Sequence, residues 1–167
     1  IPEKGFPRPD ARHHRTEFND DQARGVEALR SAVDAQNFSA TLLDGVTGSG
    51  KTEVYFEAVA RALELGHQAL IMLPEIALTS QFLDRFERRF GVKPVEWHSA
   101  LSQPERGRIW KGVARGEVRV VVGARSALFL PFPELGLIVV DEEHDQGFKQ
   151  DDRVHYQGRD MCVVRGN

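Results

Sequence analysis

The chain has 167 residues, with 22 Lys+Arg against 25 Asp+Glu and a formal net charge of −3 at pH 7. Its hydrophobic share of 41% rises to about half once the 15 glycines are counted, which excludes collagenous, low-complexity and disordered classes. The mild negative balance argues against a uniformly basic nucleic-acid binder, but a local phosphate-binding groove stays open.

Residues 1–17 carry three prolines and mixed charge with little periodicity, and read as a linker or arm. From Asn19 the pattern turns helical: Asp20 and Asp21 can cap, and Val26, Leu29 and Val33 recur at spacings of three and four. Two element types then alternate. Apolar or β-branched runs at 40–43, 69–73, 95–97, 118–122 and 137–140 read as strands. Helical stretches fall near 52–65, 79–90 and 103–115, and Gly66, Gly91 and Gly116 stand where C-terminal caps belong. Such alternation predicts a doubly wound α/β domain, a mostly parallel sheet with helices on both faces. Residues 137–140 and 120–122 are continuous apolar runs, as in strands buried on both faces, and Arg119 must reach solvent or a partner. Trp97 and Trp110 are expected to pack between elements, and Cys162 to be a small buried apolar residue.

No stretch approaches the roughly 20 apolar residues of a membrane span, and no secretory leader is visible. Cys162 is the single cysteine, so neither a disulfide framework nor a zinc-binding cysteine cluster is available, and a cytoplasmic setting is expected. The first residue is Ile1, which fits a piece of a longer polypeptide as well as a trimmed chain.

The strand at 40–43 runs into Gly45-Val46-Thr47-Gly48-Ser49-Gly50-Lys51-Thr52 and then a helix. This is G-x-x-x-x-G-K-T in strand–loop–helix context. Glycines let successive N–H groups converge on anionic oxygens, and the helix N-terminus adds its positive end. Lys51 can reach the β- and γ-phosphates, and the Thr52 hydroxyl can ligate Mg²⁺. A second box follows: the apolar run 137–140 enters Asp141-Glu142-Glu143-His144-Asp145. A buried strand ending in carboxylates delivers them to the sheet edge where ligands bind. Asp141 then holds Mg²⁺ through its water shell, and Glu142 polarises the attacking water. No N-K-x-D segment for reading guanine occurs. The pair predicts Mg²⁺-dependent ATP hydrolysis, and the tetrad looks like the D-E-x-H box of superfamily 2 helicases and translocases.

The resemblance is then specific. Residues 45–55 resemble motif I of the bacterial primosomal replication-restart helicases, the PriA family. Residues 73–79 resemble its motif Ia, residues 98–102 with Glu105 and Arg106 the segment that follows, residues 123–129 motif Ib, and residues 141–145 motif II. Phe148, Lys149, Gln150, Tyr156, Arg159 and Asp160 look like the aromatic-rich loop beyond motif II. The likeness covers about residues 18–165, in order and spacing.

It implies an incomplete N-terminal RecA-like P-loop NTPase lobe over 18–167 of a 3′→5′ DNA helicase acting in replication restart. Its ATP site would comprise Gln22, Gly45, Thr47, Gly48, Ser49, Gly50, Lys51 and Thr52, with Lys51, Asp141 and Glu142 catalytic and Thr52 and Asp141 holding Mg²⁺. Gln22 matches the position that reads adenine, and a glutamine amide has the bidentate donor and acceptor for it. Thr79, Arg125 and Ser126 would meet the DNA backbone; equally, Thr79 can simply open a helix, and Arg125 and Ser126 can form a turn. His144, Phe148, Lys149 and Tyr156 would couple DNA to hydrolysis, the aromatics stacking on bases from a loop. The roles of His13, His14 and His98 are open.

Implied partners are single-stranded and forked DNA, the second RecA-like lobe of the same polypeptide, primosome proteins and single-stranded DNA-binding protein, with no membrane. The family's 3′-end-binding domain, zinc ligands, motif III and second lobe have no counterpart in this sequence, so the chain alone is expected to bind ATP weakly and hydrolyse it hardly at all. The strand leading to motif III would lie between the phosphate-loop strand and the Asp-Glu strand, so either a gap in the sheet centre or a chain that is part of a longer ordered one is expected. Another superfamily 2 DNA translocase, or a non-catalytic DNA-binding module, is the alternative.

Overall fold

The computed structural model describes residues 5–45, 49–142 and 152–156; for Glu142 and residues 152–156 it describes the backbone. In chain order the elements are α1 (Asp20–Asp34), β1 (Leu42–Gly45), α2 (Lys51–Glu64), β2 (Gln68–Met72), a 3₁₀ turn (Glu75–Ala77), α3 (Ser80–Phe90), β3 (Val95–Trp97), α4 (Gln103–Ala114), β4 (Val120–Gly123), a second 3₁₀ turn (Arg125–Phe129), β5 (Leu135–Glu142) and β6 (Asp152–Tyr156). The strands form one sheet in the order β1-β6-β5-β2-β4-β3. Strands β5, β2, β4 and β3 are parallel neighbours.

The expected gap in the sheet is occupied. β1 and β5 are not bonded to each other, because β6 lies between them and pairs antiparallel with both. Two antiparallel steps make β1 point the same way as β5. Residues 152–156 are thus strand rather than part of a loop, and Tyr156 pairs in register with Val139. The register sets Asp141 opposite Val154, and Gly45 opposite Asp152, so both sequence boxes reach the same sheet edge.

Each central strand sorts its side chains with period two. Ala69, Ile71 and Leu73, Val120 and Val122, and Leu137 and Val139 enter the core beneath α1, α2 and α3. Leu70, Val121 and Ile138 enter the core of the opposite face with Ile109 and Val113 of α4. The first core is aromatic. Phe82, Phe86 and Phe90 recur every four residues along α3, and each lies 5.6–5.8 Å from the ring of Phe56 on α2 in edge-on geometry. Buried Gln68 is fully used: Nε2 donates to the carbonyls of Val113 and Val118, and Oε1 accepts from the N–H of Glu134. Arg119 finds its partners in the carbonyls of Gly66 and His67.

Helix ends follow local chemistry. The cap of α1 is Asn19, one residue before the expected Asp20, because Asn19 and Gln22 exchange side-chain and backbone hydrogen bonds as a capping box. Gly66, Gly91 and Gly116 have φ of 81°, 80° and 71°, the left-handed conformation expected after a helix. Trp97 is buried as expected, whereas Trp110 is half exposed because the inward face of α4 is carried by Ile109 and Val113. Residues 5–18 pack along both layers. Phe6 lies so close to α4 that a Cβ on Gly112 would sit 2.3 Å from its ring, and the backbone N–H of Asp10 donates to the carbonyl of Phe90. The ring of His13 lies against Gly91. Cys162 lies outside the described residues.

Candidate nucleotide site and the sheet edge beyond it

β1 ends at Gly45 and α2 begins at Lys51. Gly50 caps α2 with φ of 79°, and a Cβ there would sit 2.6 Å from Gln22 Nε2, so both conformation and space require glycine. That Nε2 donates to the carbonyl of Ser49 at 2.8 Å, and Gln22 Oε1 accepts from the N–H of Asn19 at 3.1 Å. Gln22 therefore ties the start of α1 to the phosphate loop. Lys51 Nζ donates to the carbonyl of Gly45 at 2.7 Å, which holds the ammonium against the end of β1. Ser49 Oγ is buried with no hydrogen-bond partner among the described residues, and a Cβ on Gly45 would sit 2.9 Å from it. A hydroxyl, an ammonium and the first N–H groups of α2 make a set of donors that fits a phosphate.

Asp141 lies at the end of β5 and is 7% exposed. The Tyr55 hydroxyl donates to its Oδ2 at 2.9 Å. Tyr55 stands three residues after Thr52 and four after Lys51, on one face of α2. Buried Thr52 supplies a hydroxyl and Asp141 a carboxylate. Such a donor pair fits Mg²⁺, which commonly takes one or two carboxylates and fills its shell with phosphate oxygens and water. Asp141 also lines a cleft of about 40 Å³ with Thr79, Phe82 and Arg85. Two ion pairs lock α3 to α2 beside it. Arg85 grips Glu53 through two bonds of 2.8 and 2.7 Å, and buried Arg89 meets Glu57 at 2.7 Å. Both pairs step by four residues on both helices, so α2 and α3 run in the same direction.

Further along the edge, Thr79 is exposed and caps α3, its Oγ1 accepting from the N–H of Phe82 at 3.2 Å. Arg125 and Ser126 open the second 3₁₀ turn and are exposed, and Ser126 Oγ accepts from Trp97 Nε1 at 3.1 Å. Glu75 joins the neighbouring segments, accepting from the N–H and hydroxyl of Ser99. Arg106 donates to the carbonyls of His98, Ser99 and Leu101 and lies 5.5 Å from the Trp97 ring. His98 Nδ1 accepts from the N–H of Ala100. Ser102 caps α4, and its hydroxyl and N–H hold the Glu105 carboxyl below its ordinary pKa. Large apolar side chains stand exposed on both turns, Ile76 at 80% and Phe129 at 86%.

The sequence profile of the DEAD/DEAH box helicases matches residues 19–162. This chain belongs to the DEAD/DEAH box helicase family. Curated relatives named Replication restart protein PriA are similar to this helicase lobe. The one from Rickettsia felis is 51% identical over 142 residues, which are 84% of this chain and 22% of that protein. That from Bacillus subtilis is 42% identical over 148 residues, 89% of this chain and 18% of that protein. That from Chlamydia trachomatis is 44% identical over 150 residues, 89% and 20%. The chain thus spans about a fifth of the length of the relatives it matches. Its RecA-like α/β architecture agrees with the family.

Of the residues the sequence singles out, Gln22, Gly45, Ser49, Gly50, Lys51 and Thr52 form the loop end of this edge, and Asp141 joins them through Tyr55. Thr79 borders the cleft next to Asp141, and Arg125 and Ser126 lie two strands away, past β4. Thr47, Gly48, His144, Phe148 and Lys149, like the side chains of Glu142 and Tyr156, lie outside the described residues. The bond from Tyr55 to Asp141 is not among the contacts expected from the sequence. Its signal is the spacing of four from Lys51, which puts an aromatic hydroxyl on the loop-facing side of α2. No helix of the described residues is long and apolar enough to cross a membrane.

Proposed function

We propose that this chain is the ATP-binding motor lobe of a superfamily 2, 3′→5′ DNA helicase acting in replication restart. The observation that carries the reading is the convergence of the phosphate loop and Asp141, joined by the Tyr55 bond, at one sheet edge. The relatives' name, Replication restart protein PriA, supplies the replication-restart context.

In this reading the loop N–H groups, Ser49 and Lys51 bind the β- and γ-phosphates of ATP, and Thr52 and Asp141 hold Mg²⁺. The cation neutralises charge on the transferring phosphoryl group. Glu142 takes the proton of the attacking water. Gln22 has its Nε2 bonded to Ser49 and its Oε1 to Asn19, so it reads adenine only while bracing the loop. DNA crosses the edge near Thr79, Arg125 and Ser126, and His144, Phe148, Lys149 and Tyr156 couple its presence to hydrolysis. The Thr79 hydroxyl accepts the cap bond from Phe82, which leaves its proton to donate to a phosphate oxygen.

Single-stranded and forked DNA are the substrates. The second RecA-like lobe, primosome proteins and single-stranded DNA-binding protein are the partners, in a cytoplasmic, nucleoid-associated setting. Any zinc belongs to parts of the parent enzyme beyond this chain, which has one cysteine. An arginine finger from the second lobe is worth roughly 10³–10⁵ in rate, so this lobe alone turns over ATP at least that much more slowly.

The test is ATP hydrolysis with and without forked DNA, in a polypeptide carrying this lobe joined to a second RecA-like lobe. DNA-stimulated hydrolysis that Glu142→Gln removes while ATP binding persists supports the reading. DNA binding without ATP binding makes the chain a docking module instead. Hydrolysis stimulated equally by intact duplex points to another DNA translocase.

A further inference from the structure

We propose that Tyr55 is a positioning residue for the divalent cation, fixing through its hydroxyl the orientation in which Asp141 meets the nucleotide-bound metal. The inference rests on the nucleotide site proposed above and adds a residue to it.

A carboxylate that is 7% exposed loses most of its water and needs hydrogen-bond donors in exchange. Tyr55 supplies one at 2.9 Å, to Oδ2. Its ring is completely buried and stands 5.3 Å from that of Phe56, edge-on at 86°. Phe56 in turn contacts Phe82, Phe86 and Phe90 of α3. The phenol therefore cannot swing without disturbing the aromatic core, and a fixed phenol holds in place the carboxylate oxygen bonded to it.

The position of Tyr55 along α2 gives this bond its meaning. Thr52, the other residue suited to the cation, is one helical turn earlier on the same face. Hydroxyl and carboxylate come from elements 86 residues apart in sequence for the bonded pair, yet α2 sets both: Thr52 directly and Asp141 through Tyr55. A small cation with strict octahedral geometry requires that kind of agreement between its ligands. Packing alone would be served by phenylalanine. The hydroxyl is what reaches the carboxylate.

The test uses the intact chain and a fluorescent, non-hydrolysable ATP analogue, titrated with Mn²⁺ in place of Mg²⁺ and followed by fluorescence and by the Mn²⁺ paramagnetic signal. Tyr55→Phe keeps the ring. Its expected effect is a rise of roughly ten- to a hundredfold in the Mn²⁺ concentration needed for half-maximal analogue binding, with metal-free analogue binding unchanged. Asp141→Asn should raise that concentration at least as far. In the double variant the Tyr55→Phe effect should vanish, because the carboxylate it orients is gone. If Asp141→Asn weakens metal-dependent binding and Tyr55→Phe does not, the positioning role is overturned while the site stands. If Asp141→Asn changes nothing, the site itself is wrong. Should Tyr55→Phe lower thermal stability, the double variant still decides: additive losses in metal dependence would make the bond merely structural.

Discussion

The two ends of the sheet's ligand-facing edge are built differently. At the end holding β1, α2 and β5, side chains are buried or half-buried and each is bonded: Gln22 to the Ser49 carbonyl, Lys51 to the Gly45 carbonyl, Tyr55 to the Asp141 carboxylate. Beyond β2, the two 3₁₀ turns expose Ile76, Arg125 and Phe129. The first turn is held by Ala77 against the aromatic core, and the second from below by Ala127 and Leu130 in the opposite core. Residues i and i+3 eclipse in a 3₁₀ turn, so burying Ala127 and Leu130 together turns Ser126 and Phe129 outward together. One end is organised to fix a few atoms in place, the other to offer side chains to something long and variable. A phosphoryl-transfer site and a nucleic-acid track have those contrasting requirements.

Substitutions can break or sharpen that contrast. The largest expected effect is at the inner end's aromatic support: Phe56→Ala should cost about 3–5 kcal/mol of stability in denaturant unfolding, because the buried ring touches four others. Glu57→Ala removes the carboxylate paired with Arg89, which is 6% exposed and keeps the Ala11 carbonyl, and should cost about 3 kcal/mol by the same measurement. A loss below about 0.5 kcal/mol in either would make the inner end no more interlocked than the outer. Arg125→Ala at the outer end should leave stability within about 0.5 kcal/mol and instead weaken DNA binding, lowering the salt slope by about one phosphate contact. A fall in stability with DNA affinity intact would reverse the roles of the two ends.

The smallest effect expected is at the α4 cap. Ser102 holds the Glu105 carboxyl below its ordinary value, its hydroxyl chiefly and then its N–H donating to the carboxylate. A depressed folded pKa contributes stability above the unfolded pKa, and that contribution is lost as pH falls through the folded value. Ser102→Ala should therefore slightly flatten the acid limb of the stability profile, measured as Tm against pH, and leave nucleotide binding unchanged.

Much of this contrast is readable in the sequence, and the exceptions have physical causes. The strands β2, β4 and β5 and the helices α2, α3 and α4 follow from apolar periodicity and glycine caps, because each is buried by its own pattern. The phosphate loop and the Asp-Glu box follow from chemistry that admits few substitutes. β6 does not: residues 152–156 mix charges with Val154 and Tyr156, and only the slot between β1 and β5 makes them a strand. Trp110 misleads because a large aromatic suggests burial, while the helix phase set by Ile109 and Val113 leaves it outside. Gln22 and Tyr55 are visible as residue types, but their partners, Ser49 and Asp141, are 27 and 86 positions away and appear only in three dimensions.

The central claim is that the loop between β1 and α2 binds the phosphates of ATP, and equilibrium binding of an ATP analogue in the presence of Mg²⁺ tests it most directly. The intact chain should bind the analogue, and Lys51→Ala should lose that binding while keeping the thermal unfolding transition of the parent. Unchanged affinity in Lys51→Ala would contradict the account.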